Sequence, residues 1–137
     1  MKHFLIVFVS LFLACKSSSG TAEPMNFPSG KYKVVHVNFE NYKPQKDYVL
    51  NVSFENNTIG GTFDCNTFNI GFERNGNAVK FGFGMATKMY CEGNMHNESA
   101  FLKSTQSVTT YNYADEKLTF YNTNEQVVIQ LKFIEGE

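Results

Sequence analysis

The sequence predicts an α+β domain built as a strongly bent antiparallel sheet or half-barrel of about eight short strands with one helix. Two observations carry this prediction. Apolar and polar residues alternate with a period of two through most of the chain after residue 30, as in strands that bury one face. Residues 94–107 break this alternation and contain few β-branched residues, which favours a helix there.

The N-terminal segment has the form of a secretory signal. Residues 1–14 join a basic Lys2 to an apolar run that is shorter than the roughly 20 residues of a membrane-spanning helix. The sequence LFLAC, which ends at Cys15, resembles a bacterial lipobox, in which the cysteine is lipidated and becomes the mature N-terminus. We predict a signal peptide over residues 1–14, a lipidated flexible tether over residues 15–27 and one domain over residues 28–137.

Charge and hydropathy set the expected partners and location. The chain has 12 basic and 13 acidic residues and no long run of one sign, so nucleic acid is not an expected partner. A lipid on Cys15 would anchor the chain to a membrane, and we expect a cell-envelope protein that faces the periplasm. Secretion without a lipid is the alternative. An envelope protein or an apolar ligand is the further partner that we expect.

The predicted strands follow one another with turn residues between them. The first, residues 31–39, is apolar on both faces, which favours a central position in the sheet. Asn75 and Gly76 form a strong hairpin signal, after which Val79, Phe81 and Phe83 alternate on one face of a strand. The other predicted strands cover residues 47–55, 59–65, 68–72, 108–113, 117–122 and 126–134.

The predicted helix extends from Asn94 to about Ser107. Asn94 is an acceptable N-cap, although the residue three positions later is Asn97 rather than the Glu or Gln of a capping box. Phe101 and Leu102 lie near one side of this helix, which predicts that this side packs against the sheet.

Three sequence blocks, in the right order, resemble the META domain family, the family of HslJ-like heat-shock lipoproteins. The matching residues are Gly61, Cys65, Asn66, Thr87, Met89, Cys91, Glu98, Phe101 and Leu102. The resemblance covers about residues 28–134, and Tyr32 stands where the family usually has a Trp. It implies a bent antiparallel sheet or half-barrel closed by one helix, and a role in envelope or stress physiology.

Cysteine usage favours a disulfide. If Cys15 carries lipid, Cys65 and Cys91 remain as an even pair in an oxidising compartment. Closing a loop of about 27 residues would stabilise the fold by roughly 3.5 kcal/mol in the chain-entropy model. The alternatives are two buried thiols, a metal site that adds His36 and His96, and a catalytic thiol. The cysteines and histidines do not have zinc-finger spacing, and we predict no metal and no other cofactor.

Two residues beside Cys65 complete the candidate site. Asp64 is expected in a turn or bulge, with a general acid or base as the alternative. Asn66 is expected to hydrogen-bond its own backbone in a turn, with ligand binding as the alternative. Thr87 is expected to cap or bridge strands. No catalytic residue is predicted.

The expected function is therefore that of a non-catalytic envelope lipoprotein that binds or scaffolds. The 14 Phe and seven Tyr are expected mainly to fill the core. They also suggest the alternative of a carrier that holds a lipid or small apolar ligand inside the half-barrel. The second alternative is a Cys-dependent redox protein.

Overall fold

A computed structural model describes residues 25–90, 92 and 96–136, which form an antiparallel barrel with one helix. The elements are β1 (Gly30–Val37), β2 (Val49–Ser53), β3 (Thr58–Phe63), β4 (Asn66–Asn75), β5 (Ala78–Phe81), β6 (Met85–Ala86), α1 (His96–Thr105), β7 (Thr110–Ala114), β8 (Lys117–Tyr121) and β9 (Val127–Gly136). The strands are neighbours in the order β3-β2-β1-β9-β8-β7-β5-β4, and pairing of β4 with β3 closes the barrel. Strand β6 extends the other edge of β4. The predicted α+β half-barrel with one helix is confirmed.

The period-two alternation places one face of each strand inside the barrel. In β4, Phe68, Ile70 and Phe72 are buried, whereas the residues between them are exposed. Tyr32 in β1 is fully buried, and its hydroxyl donates a hydrogen bond of 2.7 Å to the Pro28 carbonyl oxygen. A large side chain with one satisfied polar atom thus fills the place where the related family usually has a Trp.

Two tight hairpins show how turn chemistry sets the register. Asn75 pairs with Ala78, so the two-residue turn consists of Gly76, at a φ of 60°, and Asn77. In the β7–β8 hairpin, Asp115 and Glu116 have φ values of 51° and 59°. Positive φ at both central residues, as in the β7–β8 hairpin, is typical of the two-residue turn whose twist matches that of paired antiparallel strands.

The β5–β7 contact is the short part of the barrel wall. Ala78 pairs with Thr110, and the flanking hydrogen bonds are Val79 N–H to Thr109 O at 3.0 Å and Tyr111 N–H to Asn77 O at 2.9 Å. Because the ladder is so short, much of the edge of β5 lacks a strand partner in β7.

Helix α1 packs against the barrel and contacts β1 and β9. Its Phe101 is fully buried, with ring centroids 5.2 Å from Phe63 and 5.4 Å from Phe68. The hydroxyls of Ser104 and Thr105 donate to backbone carbonyl oxygens three residues earlier, at 2.6 and 2.7 Å, in the last turn. The predicted packing of Phe101 against the sheet is confirmed. The predicted N-cap, Asn94, lies outside the described residues.

A β-bulge interrupts the strand that faces β4. Phe81 pairs with Phe72 and Met85 pairs with Asn69, so three residues of one strand lie opposite two residues of the other. The alternation of buried and exposed residues stops after Phe81, and Phe83 is 93% exposed. The prediction that Phe83 continues the face of Val79 and Phe81 is therefore wrong.

Met25 and Phe27, which belong to the predicted tether, pack against the barrel. Phe27 is buried, and its ring centroid lies 4.9 Å from that of Phe54 and 5.6 Å from that of Tyr111. The last residues of the predicted tether thus contact the core. The predicted signal peptide and Cys15 lie outside the described residues.

Candidate functional site

The β3–β4 turn brings Cys65 to one end of the barrel, which we call the motif end. Phe63 pairs with Asn66, so Asp64 and Cys65 are the two turn residues. Asp64 has a φ of 50°, a conformation that Asp adopts more readily than most residues. The expected turn position of Asp64 agrees with this geometry.

Gly61, the first residue of the matching blocks, is required by close packing. A Cβ atom at this position would lie 2.7 Å from Leu50 Cδ2 and 3.2 Å from the Val49 carbonyl oxygen. Leu50 is fully buried, so it has little room to move away. Gly61 therefore serves the contact between β2 and β3.

Asn66 ties β4 to the segment that follows β6. Its side chain is 2% exposed, and its Oδ1 accepts hydrogen bonds from Met89 N–H at 2.9 Å and from the Thr87 hydroxyl at 3.1 Å. Its Nδ2 donates to the Met89 carbonyl oxygen at 3.4 Å. We call these three residues the Asn66 cluster. The expectation that Asn66 bonds its own turn is wrong, because these partners are more than twenty positions away.

Thr87 joins the same cluster from the other side. Its hydroxyl oxygen accepts a hydrogen bond of 3.1 Å from Thr67 N–H while its proton is donated to Asn66. The Thr87 N–H donates in turn to the Thr67 carbonyl oxygen at 2.9 Å. Thr87 thus bridges two neighbouring strand segments, as expected.

Cys65 lies beside the Asn66 cluster, with its Sγ 3.9 Å from the Met89 carbonyl oxygen. The disulfide that we predict joins Cys65 to Cys91, which is outside the described residues. The bond therefore stays a prediction, as does the lipid on Cys15.

Polar side chains surround Asp64 at the motif end. Its Oδ1 accepts a hydrogen bond of 2.7 Å from the Tyr48 hydroxyl, and Lys46 Nζ lies 3.8 Å away. Asn97 Nδ2 donates to the Tyr48 oxygen at 3.1 Å. Burial, followed by the hydrogen bond to Asp64, raises the pKa of Tyr48 to about 12. Tyr48 is thus a hydrogen-bond donor rather than a source of protons at neutral pH.

A second carboxyl group, Glu98 in the first turn of α1, lies near Asp64. Burial raises the pKa of Glu98, a hydrogen bond with Asn66 lowers it, and the charge of Asp64 raises it. Asp64 Oδ2 and Glu98 Oε2 are buried and have no hydrogen-bond partner among the described residues. Ionisation of Glu98 is therefore less favourable here than in water.

The histidines of the alternative metal set are on the surface. His36 is exposed on β1 and His96 is exposed at the start of α1. Over residues 25–90, 92 and 96–136, no three His, Cys, Asp or Glu residues are grouped so that they could hold a metal ion. The same residues contain no helix that is long and apolar enough to cross a membrane.

An apolar surface missed by the sequence patterns lies after the bulge. Met85 is 76% exposed, Met89 57% and Tyr90 86%. We call these three residues the apolar rim. The segment has no regular alternation, so periodicity gives no signal for which of its side chains face outward.

An open groove of about 730 Å³ lies on the outer surface of the barrel, next to Phe83. We call it the outer groove. It crosses the start of β3, the middle of β4 and the end of β5. Its polar lining residues are Asn56, Asn57, Thr58, Glu73, Lys80 and Gln106.

Comparison with known proteins gives one match. A family model described as the META domain matches residues 25–133, which is most of the chain. The matched region includes both the Asn66 cluster and α1. No curated protein and no solved structure matches the chain significantly. The chain belongs to the META domain family.

Proposed function

We propose that this protein is a non-catalytic envelope lipoprotein whose META domain binds an envelope protein through the apolar rim. Lipid on Cys15 holds the domain at a membrane, and the binding role serves envelope or stress physiology. The observation that carries the proposal is the exposure of Met85 and Tyr90, at 76% and 86%. Large apolar side chains that stay in water at one surface are typical of sites where another protein docks.

The direction of the tether supports this arrangement. Tyr111 Oη lies 2.8 Å from the Met25 carbonyl oxygen and 3.1 Å from that of Gly76, so the chain enters the barrel beside the β4–β5 turn. The apolar rim is beside Asn66, at the opposite end of β4. A ten-residue strand is about 30 Å long, so the rim lies well away from the point of attachment.

The polar groups of the motif end favour binding over catalysis. The Asn66 side chain is buried and its oxygen accepts two hydrogen bonds within the protein. Thr87 is occupied in the same cluster and has no base within the contacts of its hydroxyl. These residues therefore hold the fold, and a reaction would need other groups.

The packing of the interior favours an outer binding surface over a ligand held inside the barrel. The ring centroids of Phe63 and Phe68 lie 5.5 Å apart, and Phe72 and Phe81 are 5.6 Å apart. Phe81 and Phe120 are 5.3 Å apart. Rings in mutual contact at these distances leave little space for a lipid chain between them.

The anchor is tested by Cys15→Ala. We expect the variant to move from the membrane fraction to the soluble fraction, because the side chain that carries the lipid is gone. The wild-type chain, fractionated in parallel, is expected in the membrane. An unchanged distribution of the variant would refute the anchor.

The rim is tested by photo-crosslinking in intact cells. A photoreactive phenylalanine derivative at Tyr90 is expected to give a discrete crosslinked product with another envelope protein. The same group at Glu125, an exposed turn residue, is the matched control and is expected to give none. Equal products from both positions, or none from Tyr90, would exclude the rim as the binding surface.

A further inference from the structure

The floor of the outer groove consists of two glycines that the fold does not need. Gly71 and Gly82 are joined by a hydrogen bond of 2.9 Å between Gly82 N–H and the Gly71 oxygen. A Cβ on Gly71 would meet only the Asn57 oxygen, at 3.9 Å, and one on Gly82 would meet the Gly71 oxygen at 3.5 Å. Both are ordinary contacts, and neither glycine has a positive φ.

Glycine inside a strand has a thermodynamic cost. It destabilises a strand by roughly 0.5–1 kcal/mol relative to alanine, and it often marks a place where a ligand approaches the backbone. At Gly61 the cost is explained by packing, since a Cβ there would contact Leu50 at 2.7 Å. Gly71, inside β4, has no such contact, so its effect is to leave the groove open. Gly82 follows β5 in the bulge and leaves the groove open in the same way.

The backbone at Phe83, whose ring forms one wall of the groove, is held in place by its neighbours. A Cβ on Gly84 would lie 2.8 Å from Leu102 Cδ2, so the bulge is pressed against α1. Gln106 Nε2 donates a hydrogen bond of 3.2 Å to the Gly82 carbonyl oxygen. The backbone on both sides of Phe83 is therefore fixed, which lowers the ordering cost of binding to its ring.

The charges of the groove balance. Glu73 and Lys80 are cross-strand partners in the β4–β5 register, so the groove has one carboxylate and one ammonium group on its wall. Balanced charge favours a neutral ligand over a phosphate or another polyanion.

Carboxamides supply the other polar groups of the wall. Asn57 Oδ1 already accepts a hydrogen bond of 2.8 Å from Arg74 Nε, which leaves the amide N–H groups of Asn57 for a ligand. Asn56 Nδ2 already donates to Ser53 Oγ at 3.1 Å, and Gln106 Nε2 donates to the Gly82 oxygen and to Thr105 Oγ1, so these two carboxamides add mainly their carbonyl oxygens as acceptors. Such groups donate to and accept from hydroxyl and acetamido groups.

We propose that the outer groove binds a neutral oligosaccharide, with the face of one sugar ring against Phe83 and its polar groups on the carboxamides and Glu73. The C–H groups of a sugar face suit the negative face of an aromatic ring. A volume of about 730 Å³ lies within the usual range of ligand sites, about 300–1,000 Å³. This inference goes beyond the proposed function and rests on neither the lipid anchor nor the apolar rim.

The test uses the soluble chain, residues 16–137, labelled with ¹⁵N. Chitotetraose and cellotetraose are the neutral probes, and inorganic phosphate is the charged probe. We expect a tetrasaccharide, but not phosphate, to shift the backbone amide signals of Gly71, Gly82 and Phe83. Absence of these shifts with both sugars, or shifts with phosphate alone, would overturn the proposal.

Three variants locate the site. Phe83→Ala removes the ring and Gly71→Val fills the floor, and each is expected to raise the Kd at least tenfold. Ile134→Ala, at an exposed apolar residue of β9 outside both the groove lining and the apolar rim, is the matched control and is expected to bind as the wild type does. Wild-type affinity in both groove variants would contradict the proposal. Loss of sugar binding with intact crosslinks at Tyr90 would remove the groove and leave the proposed function.

Discussion

At the motif end, matching residues are packed in by their neighbours, whereas the outer groove is open to solvent. At the motif end, Asn66 is 2% exposed and Gly61 is closed in by neighbouring atoms. In the outer groove, Phe83 is 93% exposed and Gly71 has open space above it. Gly61 and Asn66, which belong to the matching sequence blocks, thus hold the barrel together, whereas Gly71 and Phe83 belong to none of these blocks.

The largest expected contrast is between two phenylalanines. Phe101→Ala should lower the free energy of unfolding by about 4 kcal/mol, because it leaves a cavity between Phe63 and Phe68. Phe83→Ala should change it by less than about 0.5 kcal/mol, since its ring is in water. Urea unfolding of both variants measures the difference. Equal losses of unfolding free energy would show that Phe83 packs in the core and would contradict the difference between the two regions.

Two glycines give a smaller contrast with opposite signs. Gly61→Ala should destabilise the protein by about 2 kcal/mol, because the new methyl group overlaps buried Leu50. Gly71→Ala should stabilise it by about 0.5 kcal/mol, since the strand loses the flexibility of glycine without a clash. Thermal unfolding of the two variants is the measurement. A stabilised Gly61→Ala variant would mean that the barrel relaxes at the β2–β3 contact.

The smallest expected effect concerns Glu98. Its pKa in the folded protein is above the ordinary value of 4.5, so the folded state binds this proton more tightly than the unfolded chain does. The resulting stability is fully present below the unfolded pKa and is lost as the pH rises through the folded pKa. Glu98→Gln should therefore be more stable than the wild type near neutral pH, by less than about 1 kcal/mol because the group is partly exposed.

Urea unfolding at about pH 4 and about pH 7 checks this prediction. The two proteins should have equal stability at the lower pH, where Glu98 is protonated in both states. Glu55→Gln, at an exposed turn, is the matched control and should follow the wild type at both pH values. If Glu98→Gln were less stable than the wild type near neutral pH, the carboxylate would be a stabilising group.

The regular part of the fold could be predicted from the sequence because its cause is local. The alternation of Phe68, Ile70 and Phe72 records which face of β4 is buried. The exposure of Phe83 could not be predicted in this way, since it follows from one extra residue opposite β4. Gly84, in that bulge, packs against Leu102, which is distant in sequence.

The candidate site was predictable only in part for a similar reason. The sequence blocks named Asn66, Thr87 and Met89 together, but alternation cannot show that their hydrogen bonds join two separate segments. A short-range turn was the simpler expectation for Asn66. The apolar rim lies in an irregular segment, so neither the period of a strand nor that of a helix predicts which of its side chains are exposed.

The Asn66 cluster is a structural unit in this account, and a double-mutant cycle between two of its side chains tests whether they act together. The cycle compares the unfolding free energies of Asn66→Ala, Thr87→Val and the double variant with that of the wild type. Because the two side chains share a hydrogen bond of 3.1 Å, we expect a coupling energy of about 1 kcal/mol. Additive effects, within about 0.3 kcal/mol, would contradict the claim.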